Sequence, residues 1–171
     1  MHVSCESRMK KAIPSFARIV PGASPFRLAV RRSPIDRYGV FALEDIPAGR
    51  KIIEYTGMRF HFLRKKWRKV NALFGTRRIY FFHVTKTWGV EGSIDGSGAE
   101  LINHSCDPNI KSRIISNHVL YFSKRKITAG EELTVDYRFG ADAPRYVCHC
   151  GAHNCRGTIN VSPPAKRAKP R

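Results

Sequence analysis

Acid is what this sequence is short of: 13 Asp and Glu stand against 31 Lys and Arg, a net charge of +18 over 171 residues. Such a field draws polyanions, with nucleic acid or a nucleic-acid-bound protein first among them. A basic surface that only keeps the chain soluble accounts for the same numbers. Long apolar runs are also missing. No window supplies the roughly 18 uninterrupted apolar residues of a membrane span, and the opening MHVSCESRMKKAIPSF has no apolar signal-peptide core. An intracellular, soluble protein is expected. Cysteines are few and odd in number, at positions 5, 106, 148, 150 and 155, which disfavours a disulfide framework.

What is present suits one globular domain, since 42% of residues are hydrophobic and 11% aromatic. Residues 1–24, with Pro14, Pro21 and Gly22, read as a loose basic leader, and residues 162–171, SPPAKRAKPR, as a basic tail that cannot pack. Between them, short β-branched or aromatic runs recur among turn residues: RLAVR, YGVFAL, KIIEY, RIYFFHV, HVLYFS and ELTVD. A β-rich fold follows. One helix is predicted over 60–74, where Phe60, Leu63, Trp67, Val70 and Phe74 make an apolar stripe opposite Arg59, Arg64, Lys65, Lys66, Arg68 and Lys69. That stripe suits a core contact, and the basic face suits solvent or a polyanion. The fold class is therefore β-rich α+β. An internal echo links FALEDIPAGRKIIEY to FSKRKITAGEELTVDY; two hairpin-like units in a pseudo-symmetric framework are expected, with Tyr55 and Tyr137 closing equivalent strands.

CHCGAHNC places three thiols in a Gly/Asn-rich loop too short to build a core of its own, and zinc with tetrahedral thiolate ligation would organise it. Cys148, Cys150 and Cys155 want a fourth ligand. Cys106 supplies it from within the ordered region, whereas Cys5 lies in the leader; His149 and His153 are rival ligands. A site of Cys106, Cys148, Cys150 and Cys155 would pin the C-terminal loop onto ELINHSCDPN and order both. Asn103 and His104 would then be held rigidly beside the metal, with the Gly/Ser-dense GSIDGSGAE leaving room for a bound molecule.

RRSPIDRYGVFALEDIPAGRKIIEYTG, ELINHSCDPN, AGEELTVDYRF and CHCGAHNCRGTI resemble, in order, the signature segments of SET-domain protein lysine methyltransferases with a cysteine-rich post-SET loop. The likeness runs from about residue 27 to 160 and divides the chain into a SET region, 25–140, and a post-SET loop, 141–161. It implies small curved β-sheets with a threaded, knot-like C-terminal segment, S-adenosylmethionine as methyl donor and a narrow channel for the substrate lysine. It also implies cofactor contacts by Tyr38, Gly39, Asn103 and His104, with Tyr137 beside the reacting methyl, Tyr80 as a channel aromatic near the cofactor and Tyr55 as a further channel residue. The same four cysteines become the structural zinc ligands.

The resemblance has departures. Arg37-Tyr38-Gly39 replaces the usual Gly-x-Gly of the first cofactor loop. Val135 stands where Phe or Tyr is common, which favours di- or trimethylation. Glu100 replaces a frequent Arg, and no cysteine-rich pre-SET segment precedes residue 25. The substrate implied is a protein lysine, on a histone or other DNA-associated protein. Glu54, Glu91, Asp95 or Glu100 would have to line the groove if that substrate is basic. The setting would be chromatin in a eukaryote, or the cytoplasm and nucleoid in a bacterium. The competing reading is a zinc-stabilised basic adaptor or nucleic-acid-binding module that keeps the scaffold without turnover.

Overall fold

All six β-branched or aromatic runs become strands in the computed structural model, which describes residues 17–61, 80–140 and 143–161. Ten short strands are described: β1 (Leu28–Arg32), β2 (Tyr38–Ala42), β3 (Lys51–Tyr55), β4 (Met58–His61), β5 (Phe81–His83), β6 (Trp88–Glu91), β7 (Asn103–His104), β8 (Ile110–Ile115), β9 (His118–Ser123) and β10 (Glu132–Val135). They form three sheets, ordered β1-β2-β10-β7, β3-β9-β8 and β4-β6-β5. Strand alternation places Val119, Tyr121 and Ser123 of β9 in the interior at 1%, 3% and 1% exposure, with their odd-even neighbours facing out. The sheets meet over a core that includes Val40, Ile46, Ile53, Ile102, Ile127 and Leu133.

Among the described residues there is a 3-10 turn at Ala99–Leu101 and no α-helix. The helix expected over 60–74 starts too early: Phe60 is 8% exposed on β4 and paired across to Gly89 of β6. Its apolar neighbours belong to a strand with period two, which overrides the three-four spacing at that end. The rest of the expected helix, from Phe62, lies outside the described residues.

The internal echo is real, but its units are not hairpins. β2 and β3 go to different sheets, as do β9 and β10, and each pairs with the other unit: β2 with β10, and β3 with β9. The turns between them trade bonds reciprocally. Ile46 N–H donates to the Ile127 carbonyl at 2.8 Å and Ile127 N–H to the Ile46 carbonyl at 2.9 Å. Ala42 N–H donates to Glu131 O and Ser123 N–H to the equivalent Arg50 O, both at 3.0 Å. Gly49 and Gly130 sit at φ 75° and 93° in matching turns, a region that suits glycine. Ion pairing follows the same axis, since Asp45 and Lys126 occupy equivalent positions and meet at 2.8 Å. The tyrosines are less symmetric than expected: Tyr55 ends β3, but Tyr137 lies two residues beyond β10.

β10 arrives late in the chain and lies between β2 and β7, antiparallel to the first and parallel to the second. Asn109 extends this join, its Nδ2 donating to Glu132 O at 2.8 Å and its Oδ1 accepting from Thr134 N–H at 2.9 Å. This brings the two chemistry-bearing segments side by side, with Thr134 opposite Asn103 and Val135 opposite His104.

Candidate active site

Asn103 and His104 are buried at 8% and 4% exposure, and each faces a different part of the site. The Asn103 Nδ2 group lies 2.7 Å from Glu132 Oε1, 2.9 Å from Tyr38 O, 3.0 Å from Ser33 Oγ and 3.3 Å from Asp36 O. Two hydrogens thus face four acceptors. Ser33 Oγ in turn donates to Glu132 and accepts the Ile35 N–H, each at 2.9 Å, so the surrounding network locks the amide in place. Gly39 leaves room beneath this network, because a Cβ there would lie 2.0 Å from Glu132 Oε1 and the carboxylate would have to move.

Arg37, in the same loop, has φ 33°. A positive φ is one that glycine takes freely, and an arginine there costs about 1–2 kcal/mol. Its guanidinium meets Asp36 through Nε at 3.2 Å and Nη2 at 3.3 Å.

His104 Nδ1 accepts the Tyr137 N–H at 3.1 Å, and its Nε2 lies 3.5 Å from Cys106 Sγ. Accepting at Nδ1 fixes the neutral tautomer with its proton on Nε2, directed at sulfur. Burial pushes this imidazole below its ordinary pKa, against the upward pull of Asp136. The 3.6 Å approach of Asp136 to Nδ1 is therefore not a charged pair.

The Tyr137 ring packs against His104 and Phe139, and its hydroxyl donates to Ile102 O at 2.8 Å. Burial, reinforced by Tyr80, Asp36 and Glu132, raises its pKa well above that of a free phenol. It remains a neutral phenol at physiological pH, with oxygen lone pairs left to accept. Tyr55 donates its hydroxyl to the Tyr80 carbonyl and meets Tyr121 edge-on at 6.2 Å between centroids. Burial raises Tyr55 and Tyr121 in the same way, Tyr137 contributing to both. Tyr55, Tyr80, Tyr121 and Tyr137 therefore form one aromatic cluster.

Cys106, Cys148, Cys150 and Cys155 offer Sγ atoms all within 4.8 Å of one another. Cys106 lies 3.8 Å from Cys148 and 3.9 Å from Cys155, and all four are free thiols. A tetrahedron of zinc–sulfur bonds of about 2.3 Å sets sulfurs roughly 3.8 Å apart, so the cluster fits zinc. Backbone N–H groups of Arg156 and Gly157 point at Cys106 and Cys155 sulfur at 3.3 and 3.4 Å, as suits thiolates. His149 and His153, the rival ligands, are outside the group.

The loop is tied by charge as well as sulfur. Arg156 Nη1 and Nη2 meet Asp136 Oδ2 and Oδ1 at 3.1 and 2.9 Å.

The SET-domain family profile matches residues 37–138, more than half of the sequence. The chain belongs to the SET-domain family. This SET domain is 40% identical over 141 residues to Arabidopsis thaliana "Histone-lysine N-methyltransferase ATX2", covering 78% of the chain and 13% of that protein. Over 137 residues it is 37% identical to the Saccharomyces cerevisiae "Histone-lysine N-methyltransferase, H3 lysine-4 specific", covering 75% and 13%. The chain thus spans about an eighth of the length of these curated relatives. Among solved structures, it is similar to KRYPTONITE in complex with mCHG DNA and SAH, at a TM-score of 0.67 and 29% identity, covering 80% of this chain and 29% of that one.

Sequence reasoning did not single out several residues of this SET domain's site. Tyr121 lay unremarked inside HVLYFS, Glu132 and Asp136 inside a predicted strand and its exit, and Ser33 and Arg156 in loops. The echo held a usable signal for Glu132, which aligns with a strand residue of the first copy. Nothing local marked Ser33 or Arg156, whose partners lie 99 and 20 residues away.

Proposed function

We propose that this chain is a protein-lysine N-methyltransferase that uses S-adenosylmethionine and acts on a histone or another DNA-bound protein. The observation that carries this reading is the meeting of three things in one place: the tyrosine cluster, the Asn103 amide network and the thiol cluster, which His104 links to Tyr137. Relatives named histone-lysine N-methyltransferases and a neighbour that binds SAH support it. A further KRYPTONITE structure with an H3(1-15) peptide supports a histone substrate and a chromatin setting.

S-adenosylmethionine, when bound, would supply a methyl carbon whose bond to cationic sulfur breaks as a bond to the neutral lysine nitrogen forms, a neutral thioether being the leaving group. Asn103, Tyr38, Gly39, His104 and Tyr80 hold the donor in this reading. The chain's own work is to produce and aim the neutral amine. Free lysine has a pKa of roughly 10.4, and an aromatic enclosure lowers it by withholding water from the ammonium. Tyr137, a phenol whose proton is committed to Ile102 O, acts as an acceptor that orients the amine rather than as a base. Tyr55, held to the Tyr80 carbonyl, stiffens the opposite wall. Orientation of this kind supplies much of the rate in such displacements. Val135, buried at 4% exposure, brings no ring or hydroxyl to crowd a methylated nitrogen, which favours di- or trimethylation. Zinc on the four cysteines is structural, since the tetrahedron leaves no ligand position open.

The net charge of +18 favours a second reading, a basic adaptor on the same scaffold. Transfer of labelled methyl to histone proteins separates the two. Wild type is expected to label them with Tyr137→Phe at least tenfold slower; equal background from both sinks the enzyme reading. Removal of metal by a strong chelator is expected to loosen residues 143–161 in hydrogen exchange and to abolish SAH binding in titration calorimetry. Retained binding after full metal loss would remove zinc from the account.

A further inference from the structure

We infer that the outer face of the β3-β9-β8 sheet docks double-stranded DNA. Because Val119, Tyr121 and Ser123 point inward, His118, Leu120 and Phe122 point outward. Phe122 is flanked in register by Lys51 on β3 and Lys111 on β8. Leu120 is flanked by Glu54 and Arg113, and the Arg113 guanidinium lies 5.5 Å from the Phe122 centroid. Lys124 follows directly after β9. Lys51, Lys111, Arg113 and Lys124 are exposed, and no described acid pairs with any of them. Their neighbours Arg125 and Lys126 are, by contrast, neutralised by Glu131 and Asp45, each at 2.8 Å.

The free cations therefore form a grid rather than a scatter, spaced about 7 Å along β8 and about 10 Å across the three strands. Long, unpaired side chains on such a grid contact phosphates without reading bases. The one acid on this face, Glu54, is held by His118 at 2.6 Å at the opposite end, so the basic end is the one bearing Lys51, Lys111 and Lys124.

Duplex suits this face better than single strand. Its one aromatic is half-buried beneath Arg113, and unstacked bases need open aromatic platforms. Tyr55 and Tyr121 lie on the inner face of the same sheet, so a duplex outside and a lysine in the enclosure do not compete for one surface. The choice of DNA over other polyanions rests on the methyltransferase reading, in which the substrate protein is DNA-bound.

The test is anisotropy of a labelled duplex of about 20 base pairs against salt, with full-length chain. Replacing Lys51, Lys111, Arg113 and Lys124 with Ser should lower affinity at least about tenfold and reduce the salt slope by about 3 to 4. The control replaces Arg18, Arg31, Lys86 and Arg145, exposed cations off this sheet, with Ser, lowering net charge equally, and should leave both near wild type. Equal losses in the two variants would mean bulk charge and overturn the proposal, as would no duplex binding by wild type or tighter binding to single strands or to phosphatidylserine vesicles. Methyl transfer to free histone H3 by the sheet variant should match wild type, showing that it folds. If wild type lacks that transfer, the enzyme reading fails, while thermal melting still reports folding and duplex binding still decides docking.

Discussion

Replacing Arg156 with Met removes the ionic tie between the cysteine-rich loop and the residue preceding Tyr137 while leaving all four sulfurs in place. The pair is bidentate at 3.1 and 2.9 Å, and its side chains are only 29% and 21% exposed. Fully exposed ion pairs contribute about 0.2–1 kcal/mol, and breaking buried ones costs about 3–5. Intermediate shielding and two charge-assisted bonds place this one at about 1.5–2.5 kcal/mol. If the loop walls the donor pocket, that energy weakens donor binding by roughly ten- to seventyfold, at about 1.4 kcal/mol per decade. Calorimetric titration with SAH is the assay, with metal content measured alongside. Asp136→Asn should lose a similar amount, and the double variant little more than either single, as coupled partners do. An Arg156→Met protein that keeps its metal and binds SAH within twofold of wild type would refute the idea of a second, metal-independent clamp.

Gly39→Ala should cost about 1–3 kcal/mol of stability and weaken SAH binding at least tenfold, because the new methyl displaces Glu132 from Asn103; melting and calorimetry check it, and an unchanged melt would mean the carboxylate swings aside freely. Arg37→Asn should stabilise by about 0.5–1 kcal/mol in denaturant melts, since Asn tolerates the φ of 33° that Arg adopts. Burial raises the Glu100 pKa although Gly98 N–H donates to it at 2.9 Å. A raised acid is fully compatible with the fold below its unfolded pKa and destabilises it as pH rises, so Glu100→Gln should raise the melting temperature at pH 7 and lose that advantage near pH 4.

The strands that sequence showed best were those whose patterns are local. KIIEY and HVLYFS carry β-branched and aromatic residues between turns, and each became a strand within a residue or two of its run. β7, only two residues long, had no such signal, because its backbone is extended by pairing with β10 rather than by propensity. The echo revealed the symmetry but not the exchange of partners, which depends on contacts some 80 residues apart in sequence and has no local trace. Phe60 was misread for the opposite reason, since three-four spacing persisted past a strand that tertiary pairing imposes. The convergence of the four cysteines was legible because their spacing carries ligand chemistry directly. Glu132 and Arg156 were not, since an acid in a strand and an arginine in a loop are common until a partner is seen.

The reciprocal trade between the Ile46 and Ile127 turns also bears on how this chain comes off a ribosome. The β3 edge has no partner until β9 has emerged, the Ile46 amide none until residue 127 and the second edge of β2 none until β10, and the tyrosine cluster lacks Tyr137 for longer still. A nascent chain halted before β9 thus presents an exposed pair of strand edges, and the tyrosine cluster closes only after β10.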